Sequence, residues 1–408
     1  MSSGSYSSMK RLFGNQLSGW PISEVLSWLL TKGRQIEPTT DLIGELFERL
    51  VEAGAPLIRV RIFLLTLHPL VRDFSFTWYR GRSTEMGRAH HGIEDTASYI
   101  GSPWEHVFST GQSFRRRLDD LQDIRDHAAL HDFKGLGGTD YYALPLRFGS
   151  RTIGAAGFVV DDSKGLSDTD LTKLEILVEV LTPILQVTAL HGMAQTLLDT
   201  YVGHRTGERV WNGQIKRGDA ETIEAAICFS DLRNFTALSE SRPADEMIST
   251  LNTYFEYLTA ATTAHGGEVL KFIGDAVLTI FPTSTHASIE SASESAVEAA
   301  VDTFAGLDTV NIHRRRDGLV PISFGIALHQ GTVIYGNVGA PERLDFTVMG
   351  SAVNRTARLE AMTKTLGHSL LMSAEFTNCI SRPVCSLGHH QMSGVAETQE
   401  IFTLTEME

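Results

Sequence analysis

Two apolar segments that are each interrupted by an aspartate constrain the fold of this chain more than any other feature. Residues 226–229 form a continuous apolar run, typical of a strand covered on both faces, and Asp231 follows it closely. Residues 269–281 are mainly apolar on both sides of Gly274 and Asp275, which predicts a β-hairpin with a Gly-Asp tip. Two acidic side chains at the ends of neighbouring strands repel each other unless a divalent cation lies between them. The pattern therefore predicts a two-metal site, because hard cations such as Mg²⁺ take carboxylate and phosphate oxygens.

Each aspartate also has an interpretation that needs no metal. Asp275 alone suits a turn, and Asp231 alone suits the cap of a following helix. A third segment, residues 343–364, favours the metal site, because the chain carries FSDLRNFT, KFIGDAV and VNRTARLE in that order. These three motifs resemble the catalytic domain of class III nucleotide cyclases, the adenylate and guanylate cyclases, and the resemblance covers roughly residues 221–404.

The hydrophobic pattern of residues 221–408 predicts an α+β domain. Its order of strand, helix, hairpin, helix, hairpin, helix and C-terminal strands is that of a ferredoxin-like βαββαβ core with additions. The hairpins are expected at residues 268–281 and 322–338, and the helix between them at residues 286–304. In the family this domain works as a dimer with the site between subunits, so the resemblance implies a homodimer with two sites.

The resemblance also implies roles for individual residues. Asp231, Asp275 and the carbonyl of Leu232 would hold two Mg²⁺ or Mn²⁺ ions per active site, which acidify the ribose 3′-hydroxyl and neutralise the triphosphate. Asn354 would orient the ribose, and Arg358 would hold the charge that builds on the α-phosphate. Asn354 and Arg358 are four residues apart, so both project from one face of a helix.

The choice of base depends on Lys271 and on Thr347, seven residues before Asn354. In this family, adenylate cyclases use a lysine with aspartate or threonine at these positions, whereas guanylate cyclases tend to use glutamate with cysteine. A lysine donor and a threonine hydroxyl match adenine N1 and N6, and a wrong base would leave buried polar groups unpaired. The sequence therefore predicts an adenylate cyclase that converts ATP to 3′,5′-cyclic AMP and pyrophosphate. A guanylate cyclase and a non-enzymatic nucleotide-binding sensor or scaffold remain the alternatives.

One position departs from the family pattern. Relatives often place a lysine or arginine before the glycine of the motif at residues 392–395 to hold the triphosphate, whereas this chain has Ser393. Serine supplies no positive charge. We expect His389, His390 or a basic residue elsewhere to replace it, or else substrate affinity to be weak.

The N-terminal half predicts a second domain, since 408 residues exceed the usual length of one. Residues 1–38 are expected to form a tail and a short amphipathic helix, and residues 39–165 an α/β sensor domain that looks like the GAF type and reads an unknown small molecule or protein. Residues 166–220 predict a helical linker for dimerisation and transmission, in which Ser167 and Asp170 mark the start of one long helix. The alternative is that the first half of its apolar stripe covers the sheet of its own domain.

The composition and charge of the chain limit the classes of partner that we expect it to bind. A net charge of −14 argues against nucleic acid, because that binding depends on neutralising phosphates with Lys and Arg. No apolar run approaches the ~20 residues of a membrane-spanning helix. Three cysteines give no disulfide framework and fit a reducing cytoplasm, which is the expected location.

Overall fold

The computed structural model describes residues 18–122, 125–394 and 397–407. The chain divides into two compact units, Met1–Leu197 and Leu198–Glu408. The expected N-terminal tail falls largely on residues 1–17, outside the described residues, and the boundaries predicted for the four segments remain predictions.

The first unit is built on a six-stranded sheet whose neighbouring strands all run antiparallel. The strand order across the sheet is β3-β2-β1-β6-β5-β4. The strands are β1 (Leu57–Leu65), β2 (Val71–Tyr79), β3 (Glu85–His90), β4 (Phe114–Arg117), β5 (Asp140–Phe148) and β6 (Arg151–Val160). The helices are α1 (Ser23–Thr31), α2 (Thr39–Glu52), α3 (Pro103–Thr110), α4 (Ala128–Gly135) and α5 (Asp168–Val202), the last of which continues into the second unit. The expected sheet with helices around it is present, but its antiparallel strands make this unit α+β instead of the predicted α/β. The closer likeness to a GAF domain stays a prediction.

Helix α5 begins where its sequence predicts. Ser167 Oγ and the Asp170 carboxylate each accept a backbone N–H from the other residue, at 3.2 and 3.1 Å, as in a capping box. The apolar stripe of its first half is buried through Leu185 against helices α1 and α2 and the sheet, so this half covers its own domain. Beyond Leu185 no described side chain of the helix is buried, and Val187 and Leu190 are 56% and 50% exposed.

Helix α5 is also relevant to the prediction that the chain has no membrane-spanning segment. By length and composition it is apolar enough to cross a membrane, and a third of its most apolar 18-residue window is buried. Core helices share those features, so the finding is weak support for a span.

The second unit contains an eight-stranded sheet in the order β13-β14-β12-β10-β7-β9-β8, with β11 paired to β10. Its strands are β7 (Ala220–Leu232), β8 (Glu268–Ile273), β9 (Ala276–Pro282), β10 (Phe324–Ala340), β11 (Arg343–Met349), β12 (Leu370–Ser373), β13 (Val384–His390) and β14 (Gln399–Leu404). Its helices are α6 (His204–Trp211), α7 (Phe235–Ser241), α8 (Ala244–Ala264), α9 (Ile289–Arg316), α10 (Ser351–Leu366) and α11 (Ala374–Thr377). The run from β7 to β10 follows the expected βαββαβ order with additions. The core of this unit lies between the sheet and helices α8 and α9.

The hairpin expected at residues 322–338 was wrong. Those residues contribute to one continuous strand, β10, whose hairpin partner is β11. Gly331, near the middle of the expected hairpin, lies opposite Ala225 in the ladder between β10 and β7. A Cβ at Gly331 would come within 2.9 Å of Ala352 Cβ on α10, so the glycine allows close packing of a helix rather than a turn.

Helix α9 ends twelve residues beyond the predicted residue 304, at Arg316. Polar side chains hold the extension to the loop that follows: Asn311 exchanges two hydrogen bonds with the backbone of Ile322, at 2.9 and 2.7 Å. Arg314 donates to the carbonyl of Val320 at 2.8 Å. An apolar periodicity does not register such polar anchors, which explains the early end of the prediction.

Candidate active site

The two aspartates predicted as metal ligands lie at adjacent ends of two neighbouring interior strands of the second sheet. Asp231 is the penultimate residue of β7 and pairs with Ala276, the first residue of β9. Gly274 adopts a φ of 66°, a left-handed conformation that favours glycine, and turns the chain so that Asp275 immediately precedes β9. The pKa of Asp275 is raised by burial and then by the negative charge of Asp231.

A lysine that the sequence analysis missed completes this cluster. Lys364 Nζ donates a hydrogen bond of 2.7 Å to Asp231 Oδ2. That hydrogen bond raises the pKa of Lys364. The lysine belongs to the last turn of α10, 133 residues from Asp231 in sequence, so no local pattern connects the two.

Buried polar groups fix the end of β7. Tyr254 donates a hydrogen bond of 2.6 Å to Ser230 Oγ, which donates in turn to the carbonyl of Gly325 at 2.9 Å. Immediately after the strand, Asn234 takes a φ of 57°, a conformation that asparagine tolerates, and helix α7 begins. These contacts anchor the residue before Asp231 to helix α8 on one side and to strand β10 on the other.

The donor set fits a hard divalent cation. Two adjacent carboxylates, one destabilised by the charge of the other, are what Mg²⁺ or Mn²⁺ would neutralise, and Mg²⁺ is commonly held by one or two carboxylates together with substrate phosphates. Leu232 is the last residue of β7 and its side chain is buried, so only its backbone is suited to the predicted role. Among residues 18–122, 125–394 and 397–407 no group of three or more His, Cys, Asp or Glu forms a larger metal cluster.

Asn354 and Arg358 lie on α10, as predicted, but are not joined to the aspartates. Asn354 is exposed, and Arg358 Nη1 donates a hydrogen bond of 2.9 Å to the carbonyl of Gly394. Lys364, which does reach Asp231, is ten residues after Asn354, or about 15 Å along a helix rising 1.5 Å per residue. In the described part of one chain, therefore, the C-terminal end of α10 contacts Asp231 through Lys364. Asn354 and Arg358 lie further toward the N-terminal end of the same helix, away from that contact.

Lys271 and Thr347, the two residues predicted to read the base, are linked by Asp345, which contacts Lys271 and lies on the same strand as Thr347. Lys271 on β8 donates a hydrogen bond to the carboxylate of Asp345 on β11. Thr347 is two residues further along β11 and therefore points to the same face as Asp345. Asp345 was missed, although its spacing from Thr347 is the signal that places both side chains on one face of a strand.

Ser393, the position without a positive charge, is exposed beside Gly394. The ring of His390 hydrogen-bonds the carbonyl of Leu387 at 2.8 Å, and His389 lies on β13 opposite Glu400. Val395 lies outside the described residues. The guanidinium of Arg358 approaches this segment: a Cβ built at Gly394 would lie 3.1 Å from its Nη2 atom.

Comparison with known proteins gives a family for most of the second unit. Residues 219–405 match the family described as the adenylate and guanylate cyclase catalytic domain. Residues 219–405 are therefore a catalytic domain of the class III adenylate and guanylate cyclase type.

Among individual relatives, the chain is 35% identical over 173 residues to an adenylate cyclase of Anabaena cylindrica, a match that covers 41% of this chain and 33% of that protein. It is 32% identical over 171 residues to adenylate cyclase 1 of Rhizobium meliloti (strain 1021), covering 42% of this chain and 24% of that protein. The chain thus spans a third or less of the length of these relatives. A solved structure of a bacterial light-regulated adenylyl cyclase aligns with a TM-score of 0.49 at 29% identity, over 57% of this chain and 66% of the other.

Proposed function

We propose that this protein is an adenylate cyclase that converts ATP to 3′,5′-cyclic AMP and pyrophosphate in the cleft of a homodimer. The observation that carries the proposal is the Asp231–Asp275 carboxylate pair within a matched cyclase domain. Two relatives named adenylate cyclase support the choice of ATP.

The reaction joins two parts of one nucleotide, so the protein contributes mainly positioning and charge. Asp231 and Asp275, with the Leu232 carbonyl, hold the divalent cations, Mg²⁺ or Mn²⁺ and two per site. When bound, these cations acidify the ribose 3′-hydroxyl and offset the charge of the triphosphate. Lys364 already balances part of the carboxylate charge before any cation binds.

Asn354 and Arg358 act from the other subunit of the dimer. In one chain they lie on a different part of α10 from the end that reaches Asp231, which supports a site completed by a second copy. Asn354 orients the ribose by hydrogen bonding. Arg358 presents its planar guanidinium to the α-phosphate as negative charge builds there.

Lys271 and Thr347 read the adenine. Asp345 fixes the Lys271 ammonium on the face that also carries Thr347, so a donor and a hydroxyl are available for adenine N1 and N6. A guanine would present a donor at N1 against the Lys271 donor, and leaving such buried groups unpaired is costly.

We further propose that the N-terminal unit regulates the activity as a GAF-like sensor spanning residues 39–165, through the linker of residues 166–220. The exposed apolar side chains of α5 beyond Leu185 support pairing of this helix with its copy in the homodimer.

The test measures cyclic nucleotide formation by the purified chain with Mg²⁺ or Mn²⁺ and either ATP or GTP, for the wild type, Asp275→Ala and a matched control, Asp308→Ala. Asp308 is an exposed carboxylate on α9 of the same unit. We expect cyclic AMP from the wild type and the control and none from Asp275→Ala. If cyclic GMP were the main product, the substrate would be GTP and not ATP. If neither product formed while the protein still bound Mn²⁺ and nucleotide, a non-enzymatic scaffold would be favoured.

A further inference from the structure

The first unit contains a cavity of about 560 Å³ beside its sheet, lined by β1, β2, the segment around Tyr99 and helices α3 and α4. Strand β1 turns the side chains of Arg59, Arg61 and Phe63 into it, because residues two apart share a face of a strand. The volume lies within the range of roughly 300–1,000 Å³ that is usual for small-molecule sites.

Two arginines in this cavity, Arg59 and Arg61, each have a buried guanidinium nitrogen without a hydrogen-bond partner among the described residues. Arg59 is only 6% exposed, and its Nη1 atom has no hydrogen-bond partner among the described residues. Arg61, two residues away, has a buried Nε without a partner there, and its Nη2 donates only to the neutral hydroxyl of Ser75, at 3.1 Å. Buried guanidinium groups side by side are unfavourable unless an anion lies between them.

The carboxylates facing the cavity do not balance these charges. The cavity is also lined by a third arginine, Arg72, and by two acidic residues, Asp73 and Asp132. Asp73 is 3% exposed and lies 3.7 Å from Arg72, and its Oδ1 atom has no partner in the described structure. Asp132 is exposed to solvent. Arg72 also lies 3.7 Å from the carboxylate of Glu94, so it has two acidic neighbours. Among the described residues neither Arg59 nor Arg61 forms an ion pair, which leaves an excess of positive charge on this wall of the cavity.

Aromatic side chains form part of the remaining wall of the cavity. The rings of Phe63 and Trp104 meet edge to face with centroids 4.5 Å apart, and the Arg59 guanidinium lies 4.8 Å from the centroid of Phe133. Flat apolar groups pack well between such rings. We propose that this cavity binds a small organic anion, in which a carboxylate or phosphate contacts Arg59 and Arg61 and a flat apolar group packs against Trp104 and Phe133.

The test uses the full chain and follows both the fluorescence of its tryptophans and the thermal midpoint while phenyl phosphate, benzoate, benzamide or inorganic phosphate is added. Two matched variants accompany the wild type. Arg59→Met removes a charge from the cavity, whereas Arg88→Met removes one from the exposed β3 strand, where Arg88 stacks on Phe74.

We expect phenyl phosphate or benzoate to shift both signals of the wild type and of Arg88→Met, and the apparent affinity to fall at least tenfold in Arg59→Met. Benzamide, which has the ring without the charge, and inorganic phosphate, which has the charge without the ring, should bind at least tenfold more weakly. The Arg59→Met protein should keep the wild-type midpoint or exceed it without ligand, because a buried like charge next to Arg61 is gone. No response to either aromatic anion, equal responses to benzamide or inorganic phosphate, or an unchanged response in Arg59→Met would each overturn the proposal.

Discussion

The ammonium of Lys364 lies 2.7 Å from Oδ2 of Asp231, the carboxylate that we assign to the metal site. A divalent cation must therefore compete with this lysine for the same oxygen. Replacing Lys364 by methionine keeps the packing of the stem and removes the competing charge, so we expect Mn²⁺ or Mg²⁺ to bind the nucleotide-free protein more tightly. Half of the lysine side chain is exposed, which limits the gain to about 1 kcal/mol, or roughly fivefold in affinity.

Titration with Mn²⁺, followed by its paramagnetic resonance signal, measures this change. Lys32→Met, which alters an exposed lysine of the first unit, serves as the control. Weaker metal binding in Lys364→Met would mean that the lysine supports the carboxylate geometry instead of opposing the cation.

If each active site is shared between two chains, two inactive variants with substitutions in different halves of the site should restore activity when they form a mixed dimer. Asp275→Ala and Arg358→Ala each disable both sites of a homodimer, but a mixed dimer has one site with both substitutions and one with neither. Random pairing should restore about a quarter of the wild-type activity, since half of the dimers are mixed and each has one intact site.

Co-expression of the two variants, with cyclic AMP as the readout, measures this recovery. The control pair is Asp231→Ala with Asp275→Ala, in which both substitutions affect the same half of the site and no dimer regains an intact one. Equal activity for the two pairs would contradict a shared site.

The contact between Lys271 and Asp345 predicts a graded effect on base selection. Lys271→Glu replaces the donor by an acceptor, so we expect kcat/KM for ATP to fall about 100-fold relative to that for GTP. Asp345→Asn should leave the lysine in place but less well held, with a loss of about threefold for ATP, because both partners are more than 40% exposed.

Parallel assays with ATP and GTP measure both ratios. Glu342→Gln, at an exposed acidic residue next to β11, is the matched control and should change neither. If Lys271→Glu lowered the two activities equally, Lys271 would hold the site together without reading the base.

The sequence predicted the site residues that a local pattern marks and missed those that only long-range contacts bring to the site. Asp231 and Asp275 were placed together because each follows or begins an apolar strand, and paired strands bring such positions side by side. Lys364 was missed because its contact with Asp231 joins residues 133 apart, which no spacing rule connects. The spacing of Asp345 from Thr347 places both on one face of a strand, but it does not show the contact with Lys271, 74 residues away. The hairpin expected at residues 322–338 was wrong for a related reason: within β10, Gly331 packs closely against α10, a contact that the local pattern does not show.

A buried histidine gives a final prediction, on the pH dependence of stability. His329 on β10 is 4% exposed, its ring Nδ1 lies 2.7 Å from Ser373 Oγ, and burial lowers its pKa to about 4. In the unfolded chain the same group titrates near 6.5. Between these values the unfolded state binds a proton that the folded state does not, so the free energy of unfolding falls as the pH decreases through this window.

The maximal loss is roughly 3 kcal/mol, since each unit of pKa corresponds to about 1.4 kcal/mol. Urea unfolding of the full chain at pH 7.5, 6.0 and 5.0 measures the slope. We expect His329→Gln to flatten it, because glutamine does not titrate, while His313→Gln, at an exposed histidine of α9, should keep the wild-type slope. A wild-type slope in His329→Gln would show that the neutral, buried ring does not govern acid sensitivity in this unit.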